Sequence, residues 1–185
     1  MQPDGLGPVS SRGTKACETS RLVMIPRIAL FVARWALTAW IGAAVLFVVV
    51  GIREVTSPDL SSEVKDRLAT LRFPFFYAAG FGLVGVTWLA GLFCRVNHSF
   101  SRRRQWLVLG LVTIALVGMA ADYISIYCPL AELVTPPGKP RTQQFMELHR
   151  WSARVNTVNL LLCMAAATLL NWPVARAPVA LPESH

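Results

Sequence analysis

The side chains best suited to chemistry gather between Phe145 and Asn159, in the stretch FMELHRWSARVNTVN. Placed on a helix, His149, Ser152, Asn156 and Asn159 recur at intervals of three, four and three residues. At 100° per residue they share an arc of about 80°, so they form one face. Glu147, Arg150 and Arg154 project to another side. An imidazole, a hydroxyl and two amides in a stripe suit hydrogen bonding to a polar ligand or to a neighbouring helix. Nucleophilic catalysis needs more: Ser152 has His149 at helical spacing but no acidic orienter, glycine elbow or oxyanion motif. The four cysteines, Cys17, Cys94, Cys128 and Cys163, include no CxxC pair, so neither metal-ligand spacing nor a disulfide framework is indicated.

The elements that must position this stripe are apolar. The chain has 185 residues, 54% of them hydrophobic and 15% charged, which is too apolar for an ordinary soluble domain. A hydrocarbon core about 30 Å thick takes about 20 helical residues. Four blocks meet that length, at about 28–52, 73–94, 105–127 and 150–172. The fold class is therefore all-α, an integral membrane bundle of four transmembrane helices. Residues 1–24 read as a flexible basic tail, with Pro26 in the first turn of the first helix, and residues 173–185 as a second flexible tail. The first apolar block is too long for a cleavable signal and reads as an anchor.

Net charge is +8, yet the basic residues flank apolar blocks and no aromatic-interleaved soluble domain presents them, which argues against nucleic acid. The partner is the lipid bilayer. The second loop carries Arg95, His98, Arg102, Arg103 and Arg104 with no acidic residue, placing it and both termini in the cytoplasm by the positive-inside rule. The setting is a plasma or bacterial inner membrane, and a homo-oligomer is left open. Arg34 reads as a membrane-edge anchor, and SSEVKDRLATL as a short interfacial helix before the second span. Gly80, Gly82, Gly85 and Gly91 suggest that this second span is central and closely packed. The proline-rich connection CPLAELVTPPGKPRTQQ is long enough to cap the outer mouth.

Asp122 lies about one turn before the outer end of the third span, at the expected depth of His149 and Arg154. A buried carboxylate without a partner is costly, so the sequence predicts a contact from Asp122 to His149 or Arg154. That contact serves either as a clamp between helices or as part of a proton relay or polar ligand site. The candidate site is His149, Ser152, Asn156, Asn159, Asp122 and Arg154, with no catalytic residue, metal or cofactor assigned.

The pattern F-x-x-x-H-x-x-S-x-x-x-N at Phe145, His149, Ser152 and Asn156 resembles the last helix of the transmembrane protein 205-like family, a four-helix membrane group whose bacterial members are a domain of unknown function. LRFPFFYAAG, from Leu71 to Gly80, is similar to that family's F-P-[FY]-[FY] lead into the second helix, and AWIGAAVLF, from Ala39 to Phe47, to its first helix. The resemblance spans about Trp35 to Trp172 and implies no catalytic residues. The function it leaves is a non-enzymatic multipass membrane protein handling a small molecule, ion or lipid through an intrabundle polar site. The alternative is a small haem- or copper-binding redox protein, from a looser resemblance to copper-resistance D-like and haem-biosynthesis families in Trp40, Gly42 and Phe47, using His149 with Met119 or Met146.

Overall fold

The computed structural model describes residues 12–94 and 101–173, with the backbone alone for 12–23. Helix α1 covers Arg12–Thr56 and α2 covers Ser62–Phe93. Helix α3, Arg102–Asp122, runs through a π-helical turn, Tyr123–Tyr127, into the short α4, Cys128–Leu133. Helix α5 covers Gln143–Asn171. Four helical runs, Met24–Thr56, Ser62–Phe93, Arg102–Leu133 and Gln143–Asn171, are long and apolar enough to cross a membrane. The protein is an all-α bundle of four such spans.

The elements exceed the apolar blocks that announce them. The backbone of residues 12–24, expected as a tail, is helical, and Pro26 lies inside α1 rather than in its first turn. The interfacial helix expected before the second span is the first part of α2 itself. It starts at the N-cap Ser61, whose hydroxyl accepts from the Val64 N–H at 3.3 Å, so Pro74 also lies inside the helix. Lipid-embedded helices keep such prolines because neighbouring groups re-satisfy the freed backbone. Thr142 caps α5 by accepting from the Phe145 N–H at 3.1 Å, and Trp172 turns extended ahead of Pro173. Residues 1–11, 95–100 and 174–185, including Arg95, His98 and the C-terminal tail, lie outside the described residues.

The spans close into a ring in which α1 packs on α2, α2 on α3, α3 on α5 and α5 on α1. No span is central, which corrects the expectation drawn from the glycines of α2. Two of those glycines do serve packing. A Cβ on Gly80 would lie 2.7 Å from Trp40 Cη2 and would collide with Met119, and one on Gly91 would lie 2.9 Å from Leu109 Cδ2. Gly82 and Gly85 have open space instead. The core joins Leu37, Trp40, Val84, Val112, Ala115, Met119, Cys163 and Ala166.

The two ends of the bundle are finished differently. The last carbonyls of α5 are orphan acceptors at the negative end of a helix dipole. Arg34 Nε donates to the Leu170 carbonyl at 2.8 Å, and Arg104 donates to Leu169 through Nε at 2.5 Å and to Trp172 through Nη2 at 2.6 Å. Arg34 therefore reaches into the bundle end rather than only toward headgroups. At the opposite end the linker 134–142 folds onto the first turns of α2. There Asp66, 1% exposed, accepts from the Gly138 N–H at 2.9 Å and pairs with Arg141. Gly138 has φ +88°, a backbone state that favours glycine. Arg141 also lies 4.3 Å over the Phe145 ring, tying the linker to α5.

The glycine geometry makes a direct prediction. Gly80→Ala overpacks the contact with Trp40 and Met119 and should lower stability by about 1–3 kcal/mol, whereas Gly82→Ala should change it by less than about 0.5 kcal/mol. Unfolding in mixed micelles measures both.

Candidate functional site

Three helices converge on one carboxylate. Asp122 closes α3, is 1% exposed, and lies about 30 Å along the helix from Arg102 at 1.5 Å per residue. From α2, Tyr77 donates its hydroxyl hydrogen to Asp122 Oδ2 at 2.5 Å. From α5, Asn156 Nδ2 donates to the same oxygen at 2.9 Å and Ser152 Oγ at 3.4 Å. Ser152 and Asn156 are one turn apart on α5, and Asn156 Nδ2 also lies 3.0 Å from the Ser152 carbonyl and 3.1 Å from its hydroxyl. All three donors meet Oδ2. Oδ1 is equally buried and has no hydrogen-bond partner.

The electrostatics follow from what is beside this group. Among the described residues, the ion pairs are Arg67–Glu63, Arg72–Glu54 and Arg141–Asp66, so no cation pairs with Asp122. Burying an ionised carboxylate costs several kcal/mol, and each hydrogen bond to a charged group returns about 1.5–3 kcal/mol. Three neutral donors thus offset much of the burial cost while leaving the charge itself uncancelled.

Aromatic rings wall the site. The π-helical turn begins immediately after Asp122, with the Cys128 N–H bonded to the Tyr123 carbonyl. It sets Tyr123 and Tyr127 against Tyr77 at centroid distances of 5.0 and 5.1 Å. Phe73 and Phe76 extend the wall toward Phe47 on α1. π-turns inside helices are concentrated at functional sites, because the extra residue re-aims the side chains that follow.

The structure brings together Asp122, Ser152 and Asn156 from the candidate set and separates the others. His149 is exposed and stacked on Phe145, with ring centroids 5.9 Å apart and planes 6° apart. Arg154 is exposed over the Trp151 ring at 5.1 Å. The expected contact of Asp122 with His149 or Arg154 is therefore replaced by contacts with Tyr77, Asn156 and Ser152. The cause is helix rotation. His149 lies at the edge of the polar arc, about 60° from Ser152, and the partly buried Leu148 takes the inward position one turn earlier. Asn159 is buried one turn deeper against Gly118, where a Cβ would come 2.5 Å from Asn159 Oδ1, and its Nδ2 has no partner.

Tyr77 is the member that sequence reasoning missed. The signal was present: Tyr77 is the one tyrosine outside the third span, at a depth that matches Asp122 as well as His149 does. For the redox alternative, the suggested ligands lie apart by environment, with His149 and Met146 exposed and Met119 in the core. Among the described residues no group of three His, Cys, Asp or Glu side chains is placed to hold a metal ion.

Comparison with protein-family models, with curated proteins and with solved structures finds no match for this chain. Of the last-helix pattern at Phe145, His149, Ser152 and Asn156, Ser152 and Asn156 bond to Asp122, whereas His149 stacks on Phe145.

Each donor to Asp122 should contribute measurably. Tyr77→Phe and Asn156→Ala should each lower stability by about 1–3 kcal/mol, while His149→Ala and Arg154→Ala should stay within about 0.5 kcal/mol of the parent in the same unfolding assay.

Proposed function

We propose that this chain is a non-enzymatic multipass membrane protein that handles a small polar molecule or ion at an intrabundle site centred on Asp122. The observation that carries it is the buried carboxylate itself, which among the described residues has three neutral donors on one oxygen, no ion pair and no hydrogen-bond partner on the other oxygen. Ionisable groups within membrane spans are expensive to keep and by default mark a pathway or binding position. A purely structural clamp would gain more from an Asn at this position, which avoids burying a charge. Binding fits better than catalysis, because Ser152 bonds to Asp122 and Asn156 and is not engaged by His149.

Membership of the transmembrane protein 205-like family belongs to the same proposal, supported by the sequence patterns at Ala39–Phe47, Leu71–Gly80 and Phe145–Asn156. So does a topology with both termini in the cytoplasm. Its support is the cationic end of the bundle, where Arg27, Arg34 and Arg102 to Arg104 gather, while the ion pairs Arg67–Glu63, Arg72–Glu54 and Arg141–Asp66 lie on or beside the first part of α2.

The test is thermal unfolding of the full chain in nanodiscs against a panel of alkali cations, small anions and neutral polar solutes. One class should stabilise the parent, by about 2.7 kcal/mol at a hundredfold excess over its dissociation constant, and should have no effect on Asp122→Asn. If no solute acts through Asp122, the reading is wrong.

A further inference from the structure

We propose that Oδ1 of Asp122 is the binding position for a single positive charge, a proton or a monovalent metal cation, and that this is the ligand class handled at the site. The inference rests on the function proposed above and narrows it.

The argument begins with the asymmetry of the carboxyl group. Tyr77, Asn156 and Ser152 all present hydrogens to Oδ2, which leaves Oδ1 as the free acceptor in a buried setting. The occupant of Oδ1 must therefore donate a hydrogen or carry positive charge, and an anion is repelled. The described hydrogen-bond partners of Asp122 are uncharged, Tyr77 from α2 and Ser152 and Asn156 from α5, and Tyr123 and Tyr127 of the π-helical turn pack against Tyr77. His149 and Arg154 are directed to the exterior of α5. A neutral donor would satisfy Oδ1 but leave one uncompensated negative charge in a low-dielectric interior, whereas a single positive charge cancels it. A divalent ion would exceed the charge of one carboxylate, and among the described residues no group of three His, Cys, Asp or Glu side chains is placed to hold a metal ion.

Both forms of that charge suit the residues. A proton needs one oxygen, and the three donors on Oδ2 fix which oxygen takes it: the Oδ1–H bond forms as hydronium gives up the proton and becomes water, and it breaks when water takes the proton and becomes hydronium. A monovalent metal ion needs several hard oxygens, and the lone pairs of the Tyr77 and Ser152 hydroxyls and the Asn156 carbonyl oxygen are of that kind. Toward the arginine-capped end the path is filled by Met119, Val84, Val112, Ala115 and Cys163, all buried. Exchange thus takes place with the end covered by the linker 134–142.

The experiment uses the full chain in nanodiscs of neutral phospholipid and has two arms. In the first, sodium chloride is titrated against N-methylglucamine chloride at fixed pH and the unfolding temperature is read. In the second, infrared difference spectra are recorded between acid and alkaline buffer, reading the carbonyl stretch of a protonated carboxylic acid. The expected result is a sodium-dependent rise or a carboxylic acid band in the parent that Asp122→Asn abolishes and His149→Ala retains. Tyr77→Phe keeps the carboxylate and removes one hydrogen-bond donor that competes with the ligand for it, so the response should move several-fold toward lower ligand concentration; this holds the test open if Asp122→Asn does not fold. A response unchanged in both variants overturns the proposal. If anions or neutral solutes act through Asp122 and neither sodium nor protons do, the inference falls while the site stands. If nothing acts through Asp122, both fall.

Discussion

Inside a bilayer no water is available to complete an unsatisfied polar group, and the arrangement around Asp122 follows from that constraint. A carboxylate at the end of α3 has to find its donors on other helices. Tyr77 supplies one from α2, and Ser152 and Asn156 supply two from α5, which fixes the rotation of three spans about a single atom. The packing below this point agrees with that rotation. Gly118 admits Asn159, and Gly80 admits Met119 and Trp40, so these two glycines make room for side chains of neighbouring helices.

The ends of the bundle solve the same problem with charge. Arg34 and Arg104 satisfy the last carbonyls of α5 at one end, and Asp66 gathers the linker through Gly138 and Arg141 at the other. Asp66 meets an opposite charge in Arg141, and the arginines meet the negative end of the α5 dipole. Asp122 meets three neutral donors on one oxygen and, among the described residues, no hydrogen-bond partner on the other.

The four spans were legible because lipid demands long uninterrupted apolar runs, and those survive any detail of packing. Their ends were less legible. SEVKDRLATL reads correctly as helix, but nothing in its polarity reveals that it is continuous with the span beyond Pro74. Asp122 was legible as a buried carboxylate, since few residue types are so costly at that depth. Its partners were not, because depth alone admits Tyr77, His149, Ser152 and Arg154 equally and rotation decides among them. Leu148 holds the inward position that a stripe drawn through His149 would claim, an offset of about 60° that a sequence pattern resolves poorly. The π-helical turn after Asp122 has no sequence signal comparable to a cap or a proline, so the approach of Tyr123 and Tyr127 to Tyr77 was out of reach.

The account stands on Asp122 being the shared acceptor of α2 and α5. A double-mutant cycle between Tyr77→Phe and Asp122→Asn, read as unfolding free energy in mixed micelles, tests this most directly. The account predicts a coupling of about 0.5–3 kcal/mol between the two positions. Additive effects of the two substitutions, together with coupling of Asp122→Asn to Arg154→Ala instead, would contradict it.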